Sequence, residues 1–184
     1  MGTQNKLLLP LRGLPIISHV VGAALASRVD QVIVVVGHEA DEIRQLLPAT
    51  RVTSVLNPEY VTGMASSLRY GLRAVATEMD SAMILLGDMP LVSSAILDQL
   101  IAEFEPGLGQ DIVVPVRKGQ RGNPVLWGRR YFKPMQELEG DAGARDLLQE
   151  YAANVSRVEV VDESIFLDID TPDALADASV NSNP

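Results

Sequence analysis

The chain contains no cysteine and only two histidines, and this scarcity excludes several kinds of catalytic site. Without cysteine there can be neither a thiolate metal site nor a cysteine nucleophile, and the sequence says nothing about the redox compartment. His19 and His38 are too few to form a histidine metal cluster. We interpret both as structural or surface residues.

Long apolar runs and an excess of positive charge are also absent. No stretch approaches the roughly 20 apolar residues that span a bilayer, and the N-terminus lacks a signal-peptide pattern, so we expect a cytoplasmic protein without membrane contact. The formal net charge of -9 argues against nucleic acid as a partner. A small anionic substrate remains compatible with it, because local cations, backbone N–H groups and a divalent metal can hold an anion on an acidic protein.

The 184 residues are 47% hydrophobic and include 14 glycines and 11 prolines, which is typical of one globular domain. We predict a domain over residues 1–178 and a disordered tail over 179–184. Strands at 31–36, 52–56 and 82–86 alternate with helices at 15–27, 39–47, 66–76 and 94–104. This order predicts an α/β fold with a mostly parallel sheet flanked by helices.

The second part of the chain follows a different pattern. A strand at 111–116, a polar turn at 117–122 and an extended piece at 124–127 favour a hairpin. Two helices are predicted at 130–138 and 142–151, and a strand at 158–161. Thr171 can cap a final helix that has Pro172 in its first position.

Asp88 follows four consecutive apolar residues, at a strand-to-loop junction that reads Gly87-Asp88-Met89-Pro90. In an open parallel sheet, ligands gather beyond the carboxyl ends of the strands. A carboxylate there suits Mg²⁺, which takes one or two carboxylates together with substrate phosphates. The alternative is a turn aspartate bonded to its own loop, and position alone makes the two interpretations about equal.

Four other regions contain polar residues suited to a ligand, and each also has a purely structural interpretation. Asp168 and Asp170 precede the last helix, where an acid can simply complement the helix dipole. The loop 57–68 offers backbone N–H groups and hydroxyls, or only helix caps. Lys6 can meet phosphate oxygens, or only solvent. The segment 117–125 concentrates positive charge that can contact an anionic second substrate, or form a solvated hairpin tip.

Taken in order, the motifs at 1–2, 5–10, 13–15, 63–68, 87–90, 122–125, 140–145 and 168–172 resemble the MobA-like nucleotidyltransferases, most closely the molybdenum cofactor cytidylyltransferase branch. The resemblance covers nearly the whole chain. It implies a Rossmann-like fold of the glycosyltransferase-A type. It also implies transfer of CMP from CTP to the phosphate of molybdopterin, with release of pyrophosphate.

The resemblance assigns roles to individual residues. It implies that Lys6 contacts the nucleotide phosphates, that Asp88 binds Mg²⁺, and that Asp170 completes the metal site. It further implies a nucleotide- or substrate-binding set made of Asn57, Gly63, Ser66, Ser67, Gly87 and Asn123. Such a reaction requires charge neutralisation and in-line positioning more than a protein nucleophile.

The N-terminus of the chain departs from the family pattern. Family members begin with an apolar strand and a glycine-rich loop of the type Leu-Ala-Ala-Gly-x-Ser-x-Arg-Met-Gly, of which only Met1-Gly2 matches here. We therefore expect an N-terminally truncated chain whose first strand is missing, with weak activity unless upstream residues are restored. Loss of a central strand removes buried area and exposes unpaired edges. The resemblance also allows a fused or associated molybdopterin-binding module, or a molybdoenzyme that accepts the product.

Two rival functions remain open at this point. One is a GTP-dependent guanylyltransferase of the same fold, since the loop that best separates the branches is the one without a match. The other is a non-catalytic nucleotide- or partner-binding domain that kept the fold after losing its phosphate loop.

Overall fold

The computed structural model describes residues 5–105, 107, 109–141 and 144–180. Residues 1–2 of the family pattern, positions 142 and 143 of the 140–145 motif and residues 181–184 of the predicted tail lie outside the described residues. No helix of the described part is both long and apolar enough to cross a membrane.

The first part of the chain alternates strands with helices, as its hydrophobic pattern predicts. Its elements are β1 (Pro10–Leu11), β2 (Leu14–Pro15), α1 (Ile16–Ala26), β3 (Val32–Val36), α2 (Ala40–Leu46), β4 (Val52–Leu56), α3 (Met64–Ala74), β5 (Ser81–Ile84) and α4 (Ser94–Glu103). The short strands β1 and β2 pair antiparallel, and β3 and β4 pair in parallel with Val32 opposite Val52. The predicted strands and helices of this part are confirmed, with boundaries that differ by only a few residues.

The second part forms most of a five-stranded mixed sheet in which β5, β8, β6 and β7 are neighbours and β9 also pairs with β6. Its elements are β6 (Ile112–Arg117), β7 (Gln120–Arg121), β8 (Val125–Gly128), α5 (Phe132–Gln136), α6 (Arg145–Glu150), β9 (Val155–Glu159) and α7 (Pro172–Val180). The α/β class and the flanking helices are confirmed. The expected mostly parallel order is corrected at β8, which runs antiparallel to both β5 and β6 because the chain reverses within a short turn.

Helices cover both faces of the mixed sheet at β6 and β8, which explains why these two strands are almost wholly apolar. Side chains of β6 alternate between the faces. Ile112, Val114 and Val116 pack with Trp127 and with residues of α3, α5 and α6. Val113 packs on the opposite face with Leu97 of α4.

A cavity separates the parallel β3–β4 pair from β5 at the edge of the five-stranded sheet. Among the described residues, β3 pairs only with β4, and β5 pairs only with β8. The remaining edges of β3 and β5 line a shared cavity of about 760 Å³, whose walls are apolar side chains of α1, α3 and α4. The missing first strand itself stays a prediction.

The last helix begins as the sequence predicts and ends later. The backbone N–H of Ala174 donates to the side-chain oxygen of Thr171 over 3.1 Å, which is the predicted N-terminal cap. Helix α7 then continues to Val180. The helix thus includes residues 179 and 180, and the bounds of the domain and of the tail stay a prediction.

Candidate active site

Asp88 lies in the loop that follows β5, at the carboxyl end of that strand. The backbone N–H of Met89 donates to the carbonyl of Leu86 over 3.3 Å, and the Met89 side chain is buried beside α4. This turn holds Asp88 at the edge of the sheet with 21% of its side chain exposed. The carboxylate is thus partly shielded and still open to a ligand.

A backbone hydrogen bond brings the second acidic segment to Asp88. The N–H of Ile169 donates to the carbonyl oxygen of Asp88 over 2.8 Å. The Ile169 side chain is only 2% exposed and packs with Leu11 and Ile16, so it anchors the segment between the two parts of the chain. This contact places Asp170 beside Asp88 despite a separation of 82 residues along the chain.

Lys6 lies between the two carboxylates. It starts a short 3-10 helix (Lys6–Leu8) in which the side chain of Asn5 accepts a hydrogen bond from the N–H of Leu7. The Lys6 Nζ atom is 2.6 Å from Asp88 Oδ2 and also donates to Asp170 Oδ1. Three predicted site residues that are far apart in the sequence therefore form one cluster in the structure.

The charges in this cluster support one another. Partial burial lowers the pKa of Lys6, but the hydrogen bonds and charges of Asp170 and Asp88 outweigh that effect and raise it above its ordinary value. The hydrogen bond and charge of Lys6 lower the pKa of Asp170. Both shifts favour the charged forms, so Lys6 and Asp170 stay ionised across the neutral pH range.

One oxygen of the cluster has no partner. Asp88 Oδ1 is buried and accepts no hydrogen bond in the described structure. An unpaired buried carboxylate oxygen is costly and is expected where a cation or ligand group is to bind. Asp88 and Asp170 thus fit a hard divalent cation that prefers oxygen ligands. No group of three or more His, Asp or Glu side chains suited to a metal occurs among the described residues, so substrate or water must complete the coordination.

The loop between β4 and α3 is organised from within by Asn57. Its side-chain amide donates to Ser66 Oγ over 2.8 Å and to Ser67 Oγ over 3.1 Å, while its carbonyl accepts from the N–H of Glu59. Asn57 and Ser66 are 0% and 1% exposed. In this conformation neither presents surface to a ligand, and both instead position the loop. Their direct contact with substrate stays a prediction.

Gly63 allows this loop to touch a second one. Its φ of +109° favours glycine, and a β-carbon there would overlap the carbonyl group of Gly140. The N–H of Ala65 donates to that same carbonyl over 3.0 Å. The glycine therefore permits a close approach between the start of α3 and the 140–141 turn.

Gly63→Ala is expected to destabilise the protein by about 1–3 kcal/mol and to weaken substrate binding, because it adds both backbone strain and a steric clash. Gly22→Ala is the matched control, since Gly22 lies in α1 with nothing near its β-carbon position. That change is expected to stabilise by about 0.5–1 kcal/mol. Denaturant unfolding measures both, and equal effects of the two changes would contradict the role given to Gly63.

The remaining predicted site residues line two different cavities. Ser67 and Gly87 line the cavity of about 760 Å³, together with Leu7. Asn123 lines a second cavity of about 230 Å³ with Asp168 and Arg121. Leu86 and Met89 also line this second cavity, so it adjoins the Asp88 loop. The structure thus places Asn123 and Ser67 in different cavities, both of which Leu86 lines.

The sequence places Arg121 in the basic segment 117–125 and does not single it out as a site residue. Partial burial, together with the charge of Arg145, lowers its pKa. It is the only cation among the described residues that line the smaller cavity. The surrounding Gly-rich, polar sequence was a signal for a ligand loop, but it did not single out this arginine.

Comparison with known proteins identifies the family of this chain. Residues 1–155 match the model of the MobA-like NTP transferase domain. The chain belongs to this family. Over 124 residues it is 29% identical to the bifunctional protein GlmU of Desulfotalea psychrophila, a match that covers 67% of this chain and 35% of that protein. The chain thus spans about a third of the length of this curated relative.

Solved structures show the same fold over nearly the whole chain. Rv0371c from Mycobacterium tuberculosis superposes with a TM-score of 0.83 at 28% identity, covering 96% of this chain and 89% of that one. Its complex with manganese gives a TM-score of 0.80 at 26% identity, covering 96% and 92%. The nucleotidyl transferase Mth528 from Methanothermobacter gives 0.79 at 27% identity, covering 94% and 82%. This MobA-like domain therefore has a nucleotidyltransferase fold.

Proposed function

We propose that this MobA-like domain transfers CMP from CTP to the phosphate of molybdopterin and releases pyrophosphate. The observation that carries the proposal is the Lys6–Asp88–Asp170 cluster at the edge of the sheet, with one Asp88 oxygen buried and unpaired. In the proposed reaction an acceptor phosphate oxygen bonds to the α-phosphorus of CTP. The bond from that phosphorus to the bridging oxygen of pyrophosphate breaks.

The roles of the cluster follow from its charges. Asp88 and Asp170 would hold Mg²⁺, and the manganese complex of Rv0371c supports a divalent cation in this fold. When bound, such an ion neutralises phosphate charge and aligns phosphate oxygens. Lys6, which lies beside Asp88, adds a positive charge that would contact the phosphate oxygens. The partly shielded position of Asp88 strengthens these interactions by limiting contact with water.

The two cavities suggest how the substrates are divided. We assign the nucleotide to the end of the larger cavity at Ser67 and Gly87, and not to the space between β3 and β5. The Gly63 loop, which the Asn57–Ser66 hydrogen bond holds, lies beside this end. The acceptor is assigned to the smaller cavity, where Asn123 and the positive charge of Arg121 can bind a phosphate. Leu86 lines both cavities, Gly87 lines the larger and Met89 the smaller, so the Asp88 loop lies where the two phosphates would meet.

The choice of CTP and molybdopterin rests on the resemblance of the motifs at 5–10 and 63–68 to the cytidylyl branch. The same resemblance supports a molybdoenzyme, or a molybdopterin-binding module, as the recipient of the product. A cytoplasmic location fits this role.

Purified protein supplied with Mg²⁺, molybdopterin and either CTP or GTP tests the proposal. We expect pyrophosphate release and a cytidylylated pterin with CTP, and at most a few per cent of that rate with GTP. Selective use of GTP would instead identify a guanylyltransferase. Nucleotide binding without transfer to any phosphate-bearing acceptor would favour the non-catalytic alternative.

A further inference from the structure

Lys6 occupies the space between the two carboxylates that are suited to the metal. Its ammonium group contacts Asp88 Oδ2 at 2.6 Å and also contacts Asp170. Both contacts are direct, and the side chain of Lys6 is only 32% exposed. An ammonium ion at this position neutralises much of the charge that attracts a cation.

A divalent cation held by both Asp88 and Asp170 would lie close to the Lys6 ammonium, which already contacts one oxygen of each carboxylate. Two cations held a few ångströms apart in a partly buried site repel each other strongly, since water screens them poorly there. The cation can first bind Asp88 Oδ1, which Lys6 does not contact. Asp170 cannot bind the same ion as long as Lys6 lies between the two carboxylates. Full binding therefore requires the ammonium to move.

We propose that Lys6 is a built-in competitor of the divalent cation, which pairs with Asp88 and Asp170 in the metal-free protein and is released when the metal binds. This inference rests on the proposed metal site. It gives the lysine two successive partners: the carboxylates first, and then the substrate phosphates that arrive with the metal. Metal binding thereby frees the Lys6 ammonium group to bind a substrate phosphate.

Binding of Mn²⁺ alone, without nucleotide, tests the competition by calorimetry or electron paramagnetic resonance. Lys6→Met is expected to bind Mn²⁺ about tenfold more tightly than the unchanged protein, because the competing charge is gone. Lys6→Arg keeps the charge and is expected to bind no more tightly than the unchanged protein. Equal Mn²⁺ affinities of all three proteins would contradict the proposed competition but not the proposed metal site. Absence of binding to all three would overturn both.

Lysine acylation followed by mass spectrometry tests the release in the unchanged protein. The chain has three lysines, and Lys118 and Lys133 are exposed references. We expect Lys6 to be acylated slowly without metal and several-fold faster with saturating Mn²⁺, while the two references keep their rates. An unchanged or slower Lys6 rate at a Mn²⁺ concentration shown to saturate the site would overturn the proposal, whatever the stability of the variants.

Discussion

Asp88→Asn is expected to lower nucleotidyl transfer by about 10²–10³-fold while the protein stays folded. The substitution keeps the shape of the side chain and removes its charge. Asp170 still pairs with Lys6 after the change, so the local structure keeps its main ion pair. The unpaired oxygen, in contrast, loses the negative charge that a divalent cation requires. The loss should therefore appear in kcat and in Mn²⁺ affinity rather than in the thermal midpoint.

Asp80→Asn is the matched control for this experiment. Asp80 directly precedes β5, whereas Asp88 follows the same strand at its opposite end. Removing the Asp80 charge is expected to leave kcat within about twofold of the unchanged protein, because the residue lies at the amino end of the strand, away from the ligand side of the sheet. A comparable loss for both variants, or full activity of Asp88→Asn, would contradict the role assigned to Asp88.

Extending the chain ahead of Met1 with an apolar strand and a short glycine-rich loop is expected to raise the thermal midpoint by roughly 5–10 °C. The free edges of β3 and β5 both face the apolar cavity, so one added strand can hydrogen-bond on both sides. Helices α1, α3 and α4 would cover its two faces. Leu7 and Gly87 meet at one end of this cavity, so the Lys6 helix lies beside the space that the added strand would fill.

The extension is also expected to increase transfer activity, since it would anchor Lys6 from the amino side and add backbone N–H groups near the phosphates. A control extension of equal length carries lysines at two inward-facing strand positions, which cannot be buried at low cost. Thermal unfolding and pyrophosphate release should separate the two extensions. Identical midpoints for both would show that the cavity does not accept a strand.

The hydrophobic pattern of the sequence was sufficient to predict most elements. The run at 31–36 predicts β3, and the run at 52–56 coincides with β4, because β-branched residues in short apolar runs suit a strand buried on both faces. The turn at 117–122 predicts a hairpin, which exists in the structure. Such patterns do not predict that β8 runs antiparallel to β5. The periodicity within a strand is the same whichever strand becomes its neighbour.

For the site, the sequence determined which residue types are present at loops and strand ends, namely Lys6, Asp88 and Asp170. It also determined what is absent, since a chain without cysteine is limited to other ligands. Only the tertiary structure decided that these three side chains form one cluster, and it did so through the Ile169–Asp88 backbone hydrogen bond. That contact joins segments 81 residues apart, and it depends on the burial of Ile169 in a core that no local pattern specifies. Local preferences act over a few residues, whereas a site is built by packing between distant ones.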